Sequence, residues 1–495
     1  MKKHDRYDVL IIGAGVVGNA VARELSRYRL DTGVLEKEPD VSMGTSSRNS
    51  GVLHSGIHYE PGTLRAGLNV RGNEMMKELA GELKVKAQYT GKLTIARDGI
   101  DIDTIHRLKE QGEANGVPGL EILDAQEIRK RQPGVEGIAA LWSPTTGIIC
   151  PYTLTIALAE NALSNAVDYF LGREVTGISR NGAGFIVRTG SGECFEAKVL
   201  INSAGLFSDR ICRMAGINDY RIYPCRGEYL VLDKRLQKRL STLVYPAPRK
   251  GGAGLGIHLT ATVDGNILIG PSNEYVEEPE DVACTAGILA RLKQEGHGLL
   301  PGISSADFIR SFSGLRPKLS PPEVGGFKDF VIESRKDVPG FINLTGIESP
   351  GLTSAPAIAL MVRDFVSELI PLHPKTNFIK ERPGRPECFF ELPPEEKADL
   401  AARDPDYGEV VCRCEQITRK EVLDAIQNPL GAGTLSAIKY RSRAMMGRCQ
   451  GGFCLPRIVR ILEHDFGYRP EDFLLSSHGS RLFQGPLRKE KTAHA

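Results

Sequence analysis

The sequence predicts a mixed α/β and α+β chain: a parallel, doubly wound nucleotide-binding unit, an inserted substrate unit on a largely antiparallel sheet, and a small helical C-terminal domain. Three observations predict this. Between Asp8 and Glu38 an apolar run, three glycines at fixed spacing, a helical pattern and a second apolar run follow one another. The middle of the chain reads as strands on period and turn signals. Beyond a proline-bearing stretch, four of the ten cysteines fall into two close pairs.

Composition narrows the function classes. Lys plus Arg is 63 against Asp plus Glu 61 over 495 residues, a net +2 that offers neither nucleic acid nor an anionic membrane an extended basic face. No apolar run has the length of a membrane span, and the N-terminal apolar segment is used as a strand. A cytoplasmic chain, reaching a membrane only through a partner, is expected. Cys150, Cys194, Cys212, Cys225, Cys284 and Cys388 are scattered singly and read as ordinary thiols.

The first element is a buried strand, Val9 to Ile12, followed by Gly13-Ala-Gly15-Val-Val-Gly18. Gly13 permits the tight turn, Gly15 lets a pyrophosphate approach the backbone, and Gly18 allows close helix–strand packing. Val17, Ala20, Val21 and Leu25 then share a helical face, and the second strand ends at Glu36, about 20 residues past the glycines, where an acid accepts ribose hydroxyls. These features predict a dinucleotide site; by themselves they leave FAD and NAD open.

Next comes a polar, glycine-rich loop, Gly44 to Tyr59, containing Ser47, Arg48, Asn49, Ser50, His54 and His58. Its place after the second strand, on the ligand side of such sheets, favours a backbone running past a flat ligand, with His54 facing the chemistry. Leu64–Leu83 and Ile105–Gly116 read as helices, Tyr89–Ala96 as a strand, and Ala125–Arg131 as a short helix ended by Pro133. Gly147–Tyr152 reads as a turn opening a helix over Leu154–Asn165. Val175–Ile178, Phe185–Thr189 and Cys194–Ala197 read as a β-meander feeding a separate buried strand from Val199. That strand ends in Asn202-Ser-Ala204-Gly205 and opens a helix containing Asp209, a second contact for the same dinucleotide.

Cys225–Asp233, Leu255–Thr262 and Asn266–Gly270 read as strands of the second sheet. Gly251 to Gly256 precedes a strand rather than a helix, so it reads as a mobile loop and no separate NAD(P)H domain is visible. Phe341–Thr345 reads as a strand. Gly346 to Ser354 opens a long apolar helix through Ile370, with Thr353 and Ser354 as capping groups and free N–H groups near Gly351 and Leu352 for a flavin ring. Seven prolines between Pro371 and Gly408 mark a linker or a wrapping arm.

Cys412-Arg-Cys414 lies just before a helix opened by the capping-box pair Thr418 and Glu421, and Cys449 and Cys454 lie in a glycine loop before Pro456. Four thiolates at helix starts suit zinc or an iron–sulfur cluster. Cys-x-Cys is tighter than the usual zinc spacing and favours [2Fe–2S].

Gly13–Glu36, Ser50–Tyr59 and Asn202–Asp209 resemble the D-amino-acid-oxidase-type family of FAD-dependent oxidoreductases. Within it, Asn49-Ser-Gly-Val-Leu-His-Ser-Gly-Ile-His-Tyr59, Asn115-Gly-Val-Pro-Gly119, Arg226-Gly-Glu-Tyr-Leu-Val231 and Gly256-Ile-His258-Leu-Thr260 are especially similar to L-2-hydroxyglutarate dehydrogenases. The cysteine tetrad resembles the bacterioferritin-associated-ferredoxin-like [2Fe–2S] domain, appended in the same order to the flavoprotein subunit of anaerobic glycerol-3-phosphate dehydrogenase.

The resemblance implies an FAD-binding Rossmann-like fold over about 5–80, 145–215 and 335–370, a substrate domain over about 81–144 and 216–334, a linker over 371–408, a [2Fe–2S] domain over 409–475 and a tail over 476–495. It implies FAD contacts from Gly13, Gly15, Gly18, Glu36, Ser47, Arg48, Asn49, Ser50, Val175, Ala204, Gly205, Asp209, Gly346, Gly351, Leu352 and Thr353, and cluster ligation by Cys412, Cys414, Cys449 and Cys454. His54 or His258 would be the base and Arg316 the substrate-anion contact. The expected reaction is oxidation of a secondary alcohol on a small anionic substrate, first sn-glycerol 3-phosphate to dihydroxyacetone phosphate, then L-2-hydroxyglutarate, then an amine or imino acid. Electrons would leave through the cluster to a partner subunit or a quinone-linked acceptor.

Overall fold

Val9 to Ile12 have no charged side chain and are at most 5 % exposed, so strand β1 (Arg6–Ile12) sits inside its sheet. Helix α1 (Val16–Leu25) carries it to β2 (Thr32–Leu35), which lies parallel with Val9 against Thr32. On the other side β1 runs parallel to Cys194–Asn202, with Ile12 against Asn202. Asp168–Phe170 extends the sheet beyond β2, and Phe341–Thr345 extends it beyond Cys194–Asn202. This is the parallel order that the glycine motif predicted.

The computed structural model describes residues 6–182, 184–249, 256–383 and 388–485. The chain divides into two compact units, Met1–Lys37 with Gly44–Gly384, and Glu38–Met43 with Arg385–Ala495.

In the first unit the meander and the buried strand expected after it are one element. Cys194–Asn202 pairs antiparallel with Gly184–Thr189 over its first half and parallel with β1 and Phe341–Thr345 further on. Lys198, exposed on the strand between buried neighbours, suggests an ending that the backbone ladder does not make.

The second sheet of this unit has nine strands among the described residues, running from Glu274–Tyr275 through Tyr223–Leu232, Ile267–Gly270, His258–Ala261, Leu243–Pro246, Lys92–Ala96 and Ala139–Ser143 to Glu121–Asp124, with Phe308–Lys318 also on Tyr223–Leu232. Leu93, Ile95, Val244, Leu259 and Ile269 cluster on one face with Leu292 of helix Ala286–Leu299. Alternation places Lys92, Thr94, Tyr245 and His258 on the other face, where they too are at most 4 % exposed. Helix Ala286–Leu299 was not legible in the sequence, because three glycines weaken its helical pattern.

The proline-bearing stretch is more ordered than a bare tether. Arg29 N–H donates to His373 O at 2.8 Å, Lys375 N–H to Arg27 O at 2.8 Å, and buried Arg382 to Glu160 at 2.6 Å, so residues 371–383 wrap the first unit. Pro394–Arg403 is a helix of the second unit, with proline at its start and Glu395 and Glu396 in its first turn. Residues 251–255, read as a mobile loop, and the tail beyond residue 485 lie outside the described residues.

In the second unit a short hairpin, Val410–Cys412 with Ile417–Thr418, leads into helices Arg419–Ile426, Leu435–Ser442 and Leu455–Phe466. Val411, Val422, Ile438, Ile458 and Leu462 form its core. The Thr418–Glu421 capping box predicted from sequence is present. Asp40, fully buried, accepts from Arg441 Nη2 at 2.9 Å and anchors residues 38–43 within this unit.

Candidate functional site

The first half of the site is the turn after β1. Gly13 has φ +105°, and a Cβ there would sit 2.6 Å from Ser203 O. A Cβ on Gly18 would sit 2.0 Å from Gly13 O, so only glycine lets α1 approach this closely. Gly15 caps α1 without a side-chain hydrogen bond of its own, and the first-turn N–H groups beyond Val16 stay open to a phosphate. Glu36 closes β2 and accepts from Ala14 N–H at 2.7 Å, which places the acid beside the glycine turn as the motif requires. Ser203 donates to Ile12 O at 2.9 Å and brings the Ala204–Gly205 turn alongside.

The sequence did not single out Ser46, whose hydroxyl accepts from Val16 N–H at 2.9 Å. Its loop is folded by its own residues. Asn49 donates to Ser46 O at 3.0 Å and accepts from Gly51 N–H at 2.9 Å, Ser47 donates to Gly44 O, and Thr45 donates to Leu315 O at 2.8 Å. Arg48 O packs against Gly314, where a Cβ would meet it at 1.9 Å, and Ser50 bonds the Tyr229 hydroxyl. Asn49 therefore shapes the loop rather than offering its amide to a ligand. Asp209 Oδ2 accepts from Arg213 at 3.1 Å and from Ile222 N–H at 3.3 Å, which ties its helix to the chain beyond it. Val175 is buried in the meander packing.

Helix Gly351–Leu369 opens after Gly346 without the expected hydroxyl caps. Thr353 instead accepts from His54 N–H at 3.0 Å and donates to Val52 O at 3.3 Å, so it fixes the His54 loop, and Ser354 Oγ is buried without a partner among the described residues. No side chain caps this helix start; Gly351 N–H donates to Glu348 O at 2.6 Å and Ser354 N–H to Pro350 O at 3.0 Å, which leaves the N–H groups of Leu352 and Thr353 open among the described residues.

His54 occupies the junction of these parts. Its carbonyl accepts from Asn69 and Asn73, both at 3.1 Å; its Nε2 lies 3.3 Å from Ser349 Oγ, which in turn lies 3.3 Å from the Tyr59 hydroxyl. His54 Nδ1 is buried with no partner among the described residues. Burial, then Lys92 and His258, pushes the ring down to about 3, so it is neutral at physiological pH. His258 is held by Gly256 O at 2.8 Å and stacks on Tyr245 at 3.7 Å; burial lowers it to about 3 as well. With Nδ1 committed and its ring covered, His258 is less free to take a proton than His54. Arg316 is steadied by Asn273 Oδ1 at 2.9 Å and Ser272 O at 2.6 Å, and its charge reaches His258. The structure thus brings His54, His258 and Arg316 into one cluster.

The cysteines come together in the second unit. Gly447 lets the two loops close, since a Cβ there would lie 2.3 Å from Cys414 Cβ. Cys412 and Cys454 are buried, Cys414 and Cys449 exposed. The thiols associate two by two, Cys454 with Cys412 and Cys414 with Cys449. The hydrogen bond from Cys454, aided by N–H groups of Glu415 and Met445, pulls Cys412 below the ordinary thiol value. Among the described residues no three His, Cys, Asp or Glu side chains converge on a single ion. Two thiol pairs with N–H donors to sulfur fit a two-iron cluster, which four thiolates would hold.

The family described as FAD dependent oxidoreductase (DAO) matches residues 8–365, and the BFD-like [2Fe-2S] binding domain matches residues 410–464. A glycerol 3-phosphate dehydrogenase of Caloramator mitchellensis is 39% identical over 98% of this chain and 99% of its own. A mitochondrial L-2-hydroxyglutarate dehydrogenase of Caenorhabditis elegans is 31% identical over 72% of this chain and 92% of its own. Among solved structures, dithionite-reduced L-alpha-glycerophosphate oxidase from Mycoplasma pneumoniae with FAD bound has a TM-score of 0.70 at 30% identity, covering 76% of this chain and 98% of that one. Glycine oxidase from Geobacillus kaustophilus, at 23% identity and TM-score 0.66, shares the fold. Among the described residues no helix is long and apolar enough to cross a membrane. The glycine turn fits a dinucleotide and the paired thiols fit a two-iron cluster; the chain belongs to the DAO family of FAD-dependent oxidoreductases and carries a BFD-like [2Fe–2S] domain.

Proposed function

We propose that this chain is a dehydrogenase that oxidises sn-glycerol 3-phosphate to dihydroxyacetone phosphate and sends the electrons through its [2Fe–2S] domain to a partner acceptor. The observation that carries this reading is the 39% identity to a glycerol 3-phosphate dehydrogenase over 98% of the chain, both cofactor domains included. L-2-Hydroxyglutarate is the second reading, supported by relatives that match about three quarters of the chain.

FAD would be held by the Gly13–Gly18 turn, Glu36, the Ser47–Ser50 loop, the Ala204–Gly205 turn and the helix start at Gly351, and when bound it supplies a hydride acceptor. The residues of the chain hold the alcohol and its proton. Ser349 Oγ can accept from both the Tyr59 hydroxyl and His54 Nε2–H, which leaves Nδ1 bare. That buried, unpartnered nitrogen is the proposed proton acceptor, and Ser349 and Tyr59 are the positioning residues that select its tautomer. Arg316, fixed by Asn273 and Ser272, would attract the anionic arm. Partner acceptors include a protein subunit or a quinone-linked carrier.

A substrate panel under anaerobic conditions tests the reading. Glycerol 3-phosphate should bleach the bound flavin fastest; faster bleaching by L-2-hydroxyglutarate, or by proline or glycine, transfers the assignment to that substrate.

A further inference from the structure

Two lysines of the first unit are almost fully buried, and the fold treats them differently. Lys318 has a carboxylate, Glu348, at 3.6 Å, and donates to Gly326 O at 2.6 Å. Lys92, 0 % exposed, has neither: among the described residues its one hydrogen-bond partner is His58 Nε2 at 2.8 Å, and the Tyr245 ring lies 4.9 Å from its Nζ. Among the described residues no acid near it offsets the cost of burial, which alone draws its amine down to about 7. An unpaired cation in such a place is expensive unless something supplies the missing charge.

Its surroundings repeat the pattern. Thr94, two residues along on the same face of the strand, has a hydroxyl buried without a partner among the described residues. His54 Nδ1 is likewise unpartnered, and His54, His58 and His258 each feel the Lys92 charge. Arg316, meanwhile, already gives donors to Asn273 Oδ1, Ser272 O and, at 3.4 Å, Arg226 O. A phosphate or carboxylate offers more acceptor positions than the remainder of that fork can fill.

We propose that Lys92, with Thr94 beside it and His58 holding its amine, is an oxyanion contact of the substrate pocket, sharing the anionic arm with Arg316. The inference rests on the alcohol-oxidation reading above and adds to it a second cation. The ligand class is an oxyanion, phosphate or carboxylate. His58 serves as a positioning residue that orients the amine and stays neutral as it does so.

Holoenzyme carrying Lys92→Met, with Thr94→Val as a milder companion, tests this by two readouts. In the first, inorganic phosphate and malonate are titrated separately against the visible spectrum of bound FAD; the wild type should respond to at least one, and the stronger response identifies the source. Lys92→Met should weaken that response by at least about tenfold, the loss expected when one partner of a buried charge contact is removed. In the second, anaerobic flavin reduction by glycerol 3-phosphate should show a half-saturation concentration raised by a larger factor than any change Lys92→Met makes in reduction by uncharged glycerol at high concentration. Equal anion binding in wild type and Lys92→Met, a wild-type flavin blind to both anions, or equal losses with glycerol and glycerol 3-phosphate would overturn the proposal. If Lys92→Met fails to hold FAD, Thr94→Val decides by the same titration, since it removes one donor at constant shape. Failure of glycerol 3-phosphate to bleach the wild type would remove the substrate reading alone and leave the anion titration interpretable.

Discussion

Ser349 Oγ lies 3.3 Å from His54 Nε2 and 3.3 Å from the Tyr59 hydroxyl, which makes one serine the link between a half-buried ring and a buried phenol. Ser349→Ala removes the group that selects the His54 tautomer. Flavin reduction by substrate should slow, with substrate binding little changed, and Ser349→Thr should restore part of the rate. His54→Asn should cost about a hundredfold or more if the ring is the base. Single-turnover absorbance at the flavin band checks both, and a normal rate in His54→Asn would remove it from the role.

The pH profile carries a second expectation. His54 is lowered to about 3 by burial, then by Lys92 and His258, so its neutral form persists above that value. Flavin reduction should therefore show no acid limb from the base between pH 5 and the unperturbed histidine range near 6.5. Lys92 is lowered to about 7, so its cationic form is lost as pH rises through that value, and half-saturation for an anionic substrate should rise there. Stopped-flow reduction between pH 5 and 9 reads both.

The same lowered histidines tie stability to acid. In the unfolded chain His54 and His258 take protons near 6.5, while the folded chain resists until about 3. The unfolded state binds more protons over that window, so stability rises with pH from about 3 to 6.5, by at most about 1.4 kcal/mol per pH unit for each ring. Thermal melts across that range should show the slope, and His258→Asn should flatten it.

Gly18→Ala would put a methyl 2.0 Å from Gly13 O, which is backbone and yields little. Overpacking of this kind costs about 1–3 kcal/mol. The variant should melt lower and lose FAD, whereas Gly44→Ala, with nothing within 4 Å of its Cβ, should do neither.

Cys414→Ser should abolish the cluster absorbance while FAD content stays normal, because its thiol is exposed in the second unit and the flavin turn belongs to the first. Iron analysis beside flavin absorbance checks it. Loss of both cofactors would contradict separate folding of the two sites.

The parts legible in the sequence were those governed by local rules. Gly13, Gly18 and Glu36 stand at fixed spacing around one turn, and Thr418 with Glu421 caps a helix within one turn, so pattern alone located them. Lys92 is not legible because a lysine alternating with apolar residues reads as a solvent-facing position, whereas both faces of its strand are covered; His58 is visible in its loop, but its contact with Lys92 is not. Ser349 and Tyr59 meet across 290 residues of chain, a contact no window reveals. Asp209 follows a glycine turn, and the contacts of its Oδ2 with Arg213 and Ile222 N–H are ones no local pattern displays. Thr353 looked like a helix cap and instead fixes the His54 backbone.

The most direct measurement is an anaerobic absorption titration of purified holoenzyme with sn-glycerol 3-phosphate, read at flavin and cluster bands together. The flavin should bleach first and the cluster band should then fall, as the proposed electron route requires. A flavin that stays oxidised with glycerol 3-phosphate, or one that bleaches beside a cluster that never reduces, would contradict it.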